Sequence, residues 1–321
     1  MLHIKMLSLL LIAARFESSQ LAISLQRGQT FPMHKFVALL FISLALTLPT
    51  RAAELAPYKN DLFAYPGIIE QTDGGRRVVV DYNELRDVNG RDEVPERRVK
   101  RSYVSMAPKA QEEDVALSTS VGRVTLMATG KQKGASIIVA YLHGKGGNRR
   151  QGSNDYTFGG NFNRIRNLMV LNNGLYLTPD FTDFGDKGAS EVKAMLEIAM
   201  TVSPNAKVFV ACGSMGGFLC HRLAADAAFA PKLSGMLLLG SFPDPEFQKS
   251  AFYKRKLPLF IGHGSLDKSS PVTNMEAFYA GIRKNSPDYP VWLHRFEAGI
   301  HGTPVRMSDW RLALNLMLGA K

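Results

Sequence analysis

From residue 136 to residue 318 short apolar runs alternate with longer stretches of helical pattern, and that alternation leaves few architectures open. The apolar runs fall at 136–142, 175–178, 207–212, 235–240, 258–262 and 291–296. Helices are expected at 189–202, 215–228, 272–284 and 308–318, with a further one inside 162–171. A strand with one wet face alternates apolar and polar residues, whereas these runs are apolar over most of their length without such alternation, as strands buried on both faces are. Strands of that kind joined by helices make a mostly parallel sheet with helices on both of its faces. The preceding stretch reads differently. Strands at 77–82, 101–106 and 123–128, broken by the turn signals Asp73-Gly74-Gly75 and Asn89-Gly90, suggest an antiparallel N-terminal edge. The expected class is α/β, with edge strands in 53–134 and the core in 135–321. No internal repeat or low-complexity linker divides the chain, so one domain is the simplest partition.

The N-terminus follows another logic. Met33, His34 and Lys35 form a short positive region, residues 36–48 an apolar run, and Thr50-Arg51-Ala52-Ala53 a tail that ends in small residues. The run is shorter than the ~20 residues a bilayer-spanning helix needs. Its order matches a secretory signal peptide at 33–52, cleaved near Ala52/Ala53. Translation from Met33 makes residues 1–32 an upstream extension. Export to the periplasm or the medium is the expectation, and an uncleaved N-terminal membrane anchor is the alternative.

The chain carries 39 Lys and Arg against 28 Asp and Glu, a formal charge of +11; residues 1–52 hold five and one of these, which leaves +7 for the rest. The densest basic run, 86–101, is interleaved with Asp87, Asp92, Glu93 and Glu96. Nucleic-acid binding calls for a clustered patch with stacking aromatics, so no nucleic-acid partner is expected. A mildly basic surface suits peripheral contact with anionic lipid or polysaccharide. With only Cys212 and Cys220, the fold does not depend on a disulfide framework. One cysteine lies at a strand end and the other within a helix, a placement that favours two buried thiols over a bridge. There is no CxxC, HExxH or cluster of metal ligands, and neither cofactor nor metal is expected.

The apolar run at 207–212 leads straight into Gly213-Ser214-Met215-Gly216-Gly217 and a helix. A serine hydroxyl becomes a useful nucleophile when a tight strand-to-helix turn presents it, flanked by small residues that let the two elements approach. The helix start behind it favours developing negative charge. This turn resembles the G-x-S-x-G nucleophile elbow of the α/β-hydrolase superfamily, with Cys212 in place of the first glycine. The resemblance covers residues 135–321 and implies a triad in the chain order Ser, acid, His. Ser214 takes the nucleophile's place. His301, in a glycine-containing loop after the last strand, takes that of the general base. Asp267, in His263-Gly264-Ser265-Leu266-Asp267, takes that of the acid that orients the histidine, and Asp244, after the preceding strand, is the alternative acid. His221, His263 and His294 read as structural.

The resemblance also implies an oxyanion hole. One donor is the N–H of Met215; the second comes from the loop after an early strand, His143-Gly144-Lys145-Gly146-Gly147, where Lys145 is the first choice and Gly146 the alternative. The side chains of Lys145, Arg149 and Arg150 either favour an anionic substrate or are solvated loop charges. The implied activity is hydrolysis of a carboxylic ester, small-molecule or lipid, polyester or aryl, through an acyl-enzyme. A serine peptidase or thioesterase of the same fold is a rival, and a non-catalytic binding protein on this fold is an alternative of another class.

Overall fold

The computed structural model describes residues 54–93 and 97–320. The signal segment expected at 33–52 and the extension expected before it lie outside the described residues. Ten strands form one sheet: β1 (Ile68–Thr72), β2 (Arg77–Val80), β3 (Glu112–Thr119), β4 (Gly122–Gly130), β5 (Ile137–Leu142), β6 (Leu175–Pro179), β7 (Lys207–Gly213), β8 (Gly235–Leu239), β9 (Leu259–Gly264) and β10 (Val291–Phe296). Their spatial order is β1-β2-β10-β9-β8-β7-β5-β6-β4-β3. Neighbours from β2 through to β6 run parallel. The outer pairs β1/β2, β6/β4 and β4/β3 are antiparallel. The fold class is therefore α/β with a mostly parallel sheet.

Five helices cover it: α1 (Asn161–Leu171), α2 (Asp186–Val202), α3 (Gly216–Ala225), α4 (Val272–Asn285) and α5 (Trp310–Leu318). The alternation of side chains along β5 separates the two faces. Ile138, Ala140 and Leu142 join the core formed with α2, α3 and α4, while Ile137, Val139 and Tyr141 join the core formed with α1 and α5. Every residue of β5 is buried, which is why its sequence is apolar without interruption. Each large apolar side chain so buried contributes about 1.5–3 kcal/mol relative to exposure.

The N-terminal strands depart from the single edge expected. They supply both edges, with β1 and β2 beside β10 and β3 and β4 beside β6. β2 pairs parallel to β10, with Val80 opposite Phe296. The strand expected at 101–106 is instead a 3-10 turn, Arg101–Tyr103. Its carbonyls are satisfied locally rather than by a ladder: the Lys59 ammonium donates to those of Ser102 and Val104, and Asn163 takes both the N–H and the carbonyl of Ser105. Buried ion pairs tie the segment down. Arg306 holds Asp92, and Arg166 of α1 holds Asp155 and Glu112.

Candidate active site

β7 ends at Gly213 and α3 begins at Gly216, so the chain reverses across Ser214 and Met215. Ser214 sits at φ +50, a left-handed conformation that few non-glycine residues adopt and that marks a tight, imposed turn. The surrounding strands impose it. The Ser214 N–H donates to the Leu239 carbonyl of β8, and Ser241 Oγ donates to the Ser214 carbonyl. Gly216 allows the helix to sit this close, because a Cβ there would collide with the carbonyl oxygens of Leu142 and His143.

The seat of α3 on β7 corrects the expectation for the cysteines. Cys212 and Cys220 are joined in a disulfide, with their Cα atoms 6.4 Å apart. Only one helical turn separates Cys220 from the start of α3, and the helix lies directly on β7, so its side chain faces back onto the strand end. Both residues are fully buried.

His301 and Asp267 reach Ser214 from the ends of the next strands. His301, in the loop after β10, places Nε2 2.8 Å from Ser214 Oγ and Nδ1 2.8 Å from Asp267 Oδ2. Asp267, after β9, is buried, and its other oxygen accepts the N–H groups of Ser269 (2.8 Å) and Ser270 (3.0 Å). Both carboxylate oxygens are thus committed, one to the backbone and one to the imidazole. Asp244 is not brought to His301: its Oδ2 lies 4.0 Å from His221 Nδ1, and its Oδ1 accepts the Glu246 N–H.

The remaining histidines named from the sequence have packing partners. His263 Nε2 bonds the Ser270 carbonyl at 2.7 Å, behind Asp267; His221 Nε2 bonds the Phe242 carbonyl; His294 Nδ1 bonds Tyr65 Oη at 2.6 Å. Burial pushes all three below the ordinary imidazole range, His294 to about 3. His143 stacks on Phe181 with ring centroids 4.2 Å apart, and burial lowers it too.

Gly144 and Lys145 line a cavity of about 170 Å³ together with Ser214 and His301. Gly144 passes so close that a Cβ on it would lie 2.7 Å from Ser214 Cβ. The Gly147 N–H donates to the Gly144 carbonyl and closes the turn, and Gly146 takes the left-handed conformation at φ +77. Met215 stands at the N-terminal end of α3, where the helix dipole is positive. Arg149 pairs with Asp114 and Asp180, and Arg150 with Asp114. Their charge is therefore largely compensated, and among the described residues that line the cavity Lys145 is an exposed cation. Gln151 and Phe158 also line it, from a loop whose sequence carries no motif. Among the described residues no group of three or more His, Cys, Asp or Glu side chains is placed to hold a metal ion.

No family model matches the sequence, and no curated protein is significantly similar to it. Solved structures do match. An esterase from Pyrococcus furiosus aligns at 17% identity with a TM-score of 0.50, over 67% of this chain and 95% of its own. A protein of unknown function from Agrobacterium tumefaciens aligns at 15% identity and TM-score 0.49, over 63% of this chain and 93% of its own. A serine hydrolase without a lid from Xanthomonas campestris aligns at 14% and 0.46, over 64% and 93%. The chain has the α/β-hydrolase fold.

Proposed function

We propose that this chain is a serine hydrolase that cleaves a carboxylic ester through an acyl-enzyme, with Ser214 as nucleophile, His301 as general base and Asp267 as the residue that orients the histidine. The observation that carries the reading is the unbroken relay from Ser214 Oγ to His301 Nε2 and from His301 Nδ1 to Asp267 Oδ2, each link 2.8 Å. Asp267 holds the tautomer with hydrogen on Nδ1, which leaves Nε2 free to take the serine proton. Oγ attacks the carbonyl carbon while that proton moves to Nε2. The N–H groups of Met215 and Lys145, with Gly146 as alternative, receive the oxygen as it becomes negative. Collapse of the tetrahedral intermediate breaks the bond to the alcohol oxygen, which leaves with the proton from Nε2. Water then repeats the sequence on the acyl-enzyme and frees the acid.

Export completes the proposal. The segment at 33–52 has the order of a signal peptide, and a disulfide between Cys212 and Cys220 belongs with an oxidising compartment. Among the described residues no helix is long and apolar enough to cross a membrane. A fluorophosphonate probe tests the chemistry: the native protein is labelled at Ser214 and Ser214→Ala is not. A native protein that takes no label is a binding protein on a hydrolase fold.

A further inference from the structure

We infer that the alcohol half of the ester, the part that departs on acylation, is an uncharged apolar or aryl group held in a second cavity, which the N-terminal segment builds beside the His301 loop. The inference rests on the acyl-enzyme reading above. The cavity at Ser214 encloses about 170 Å³, less than the ~300–1,000 Å³ of sites that engulf a small-molecule ligand. A substrate larger than a short ester must therefore extend beyond it. A neighbouring cavity of about 230 Å³ shares Phe158 and Gly302 with it, and the two together fall within that range.

The lining of the second cavity selects the occupant. Tyr82, Val88, Phe158 and Ile300 give it apolar surface. The charged groups there are already paired, Glu84 with Arg97 at 3.4 Å and Arg306 with Asp92. Glu84 and Arg97 form an exposed pair of opposite sign and Arg306 is neutralised by buried Asp92, so the lining offers no net charge to favour an ionic ligand, whereas an apolar body gains by leaving water. The wall is preset. Phe158 is held at φ +48, its ring lies edge-on to Phe162 of α1 at 5.5 Å between centroids, and the Arg306–Asp92 pair anchors the N-terminal segment to the His301 loop.

Proton delivery decides which half of the ester lies here. The departing oxygen must face His301 Nε2 to receive its proton, so the group attached to that oxygen projects over the residues flanking His301. Ile300, Gly302 and Thr303 are those residues, and all three line the second cavity. Lys145 and Gln151, on the side of the oxyanion loop, line only the first.

Ile300 is 57% exposed, so it can be changed from the solvent side without opening the core. Ile300→Trp fills the cavity, and Ile300→Ala removes apolar contact from it. Each is compared with the native protein by kcat/KM on acetates of ethanol, phenol and 1-naphthol, and on phenyl esters of acetic, butyric and hexanoic acids. Both variants lower the naphthyl-to-ethyl ratio, Ile300→Trp by about tenfold or more, while the ratio along the acyl series shifts by no more than about twofold. A shift confined to the acyl series, or no shift in either, overturns the placement. Fluorophosphonate labelling of the same samples separates the two failures. An unlabelled native protein refutes the acyl-enzyme reading itself, whereas normal labelling with unmoved alcohol ratios refutes only the position of the alcohol.

Discussion

Asp267→Asn changes one atom of the relay, and the local hydrogen bonds dictate the outcome. Asp267 Oδ1 accepts two backbone N–H groups, from Ser269 and Ser270. An asparagine must keep its carbonyl oxygen there, because its NH₂ group would meet two donors. The NH₂ group is then forced onto the side facing His301 Nδ1, at the 2.8 Å now spanned by Oδ2. Only an imidazole with a lone pair on Nδ1 can accept from it, so the hydrogen moves to Nε2 and the proton acceptor for Ser214 is lost. Shape and volume are conserved, so the loss is one of tautomer. The expected fall in kcat is about ten-thousandfold, equivalent to ~5 kcal/mol of transition-state stabilisation. The assay is steady-state hydrolysis of p-nitrophenyl acetate, with thermal unfolding of the same sample to show that the fold is intact. A correctly folded variant that loses less than about tenfold would refute the assignment of Asp267 and the tautomer argument with it.

Three further outcomes concern the fold around the site. His294 titrates near 3 in the folded chain and at 6.5 ordinarily, so below pH 6.5 the unfolded state binds the extra proton; stability is full above that pH and falls toward pH 3, by on the order of 1.4 kcal/mol per unit at the limit. His294→Gln is expected to flatten the melting temperature between pH 6.5 and 4, and an unchanged slope refutes the assignment. Arg166→Met removes the buried guanidinium from Asp155 and Glu112 and leaves them only the half-exposed Lys109 ammonium, so the expected cost in urea unfolding is about 3 kcal/mol, the low end for breaking a buried pair; a loss under about 1 kcal/mol contradicts the pairing. Reduction of the Cys212–Cys220 bridge opens a short loop around Ser214 and is expected to lower stability by about 2–3 kcal/mol. Two thiols titrated in the unreduced, denatured protein would show that no bridge exists.

The parallel core was legible because its strands are buried on both faces: β5 and β8 read as unbroken apolar runs, and the helices between the core strands follow from length and spacing. The outer strands were less so. β1 is exposed along its whole length, so no apolar pattern marks it, and β2 finds its parallel partner in β10, near the other end of the chain. Local pattern carries no information about such a pairing. Ser214, Asp267 and His301 were legible through the resemblance of three glycine-containing turns, each after a core strand, to the α/β-hydrolase triad loops, and the structure brings these three together. Gln151, Phe158 and the wall around Tyr82 did not. They come from irregular segments whose place beside the cavity depends on tertiary contacts such as Arg306–Asp92. The cysteines were misread because spacing alone does not report how closely a helix lies on its strand; here the two Cα atoms come within 6.4 Å.

Acyl transfer through Ser214 requires a covalent intermediate on its Oγ. Rapid acid quench during turnover of a p-nitrophenyl ester with a hindered acyl group, followed by peptide mass mapping, tests it directly. The expected result is a single acyl adduct on the peptide that contains Ser214, absent in Ser214→Ala and formed no faster than the first release of p-nitrophenolate. Turnover with no adduct on Ser214, or an adduct on another residue, would contradict it.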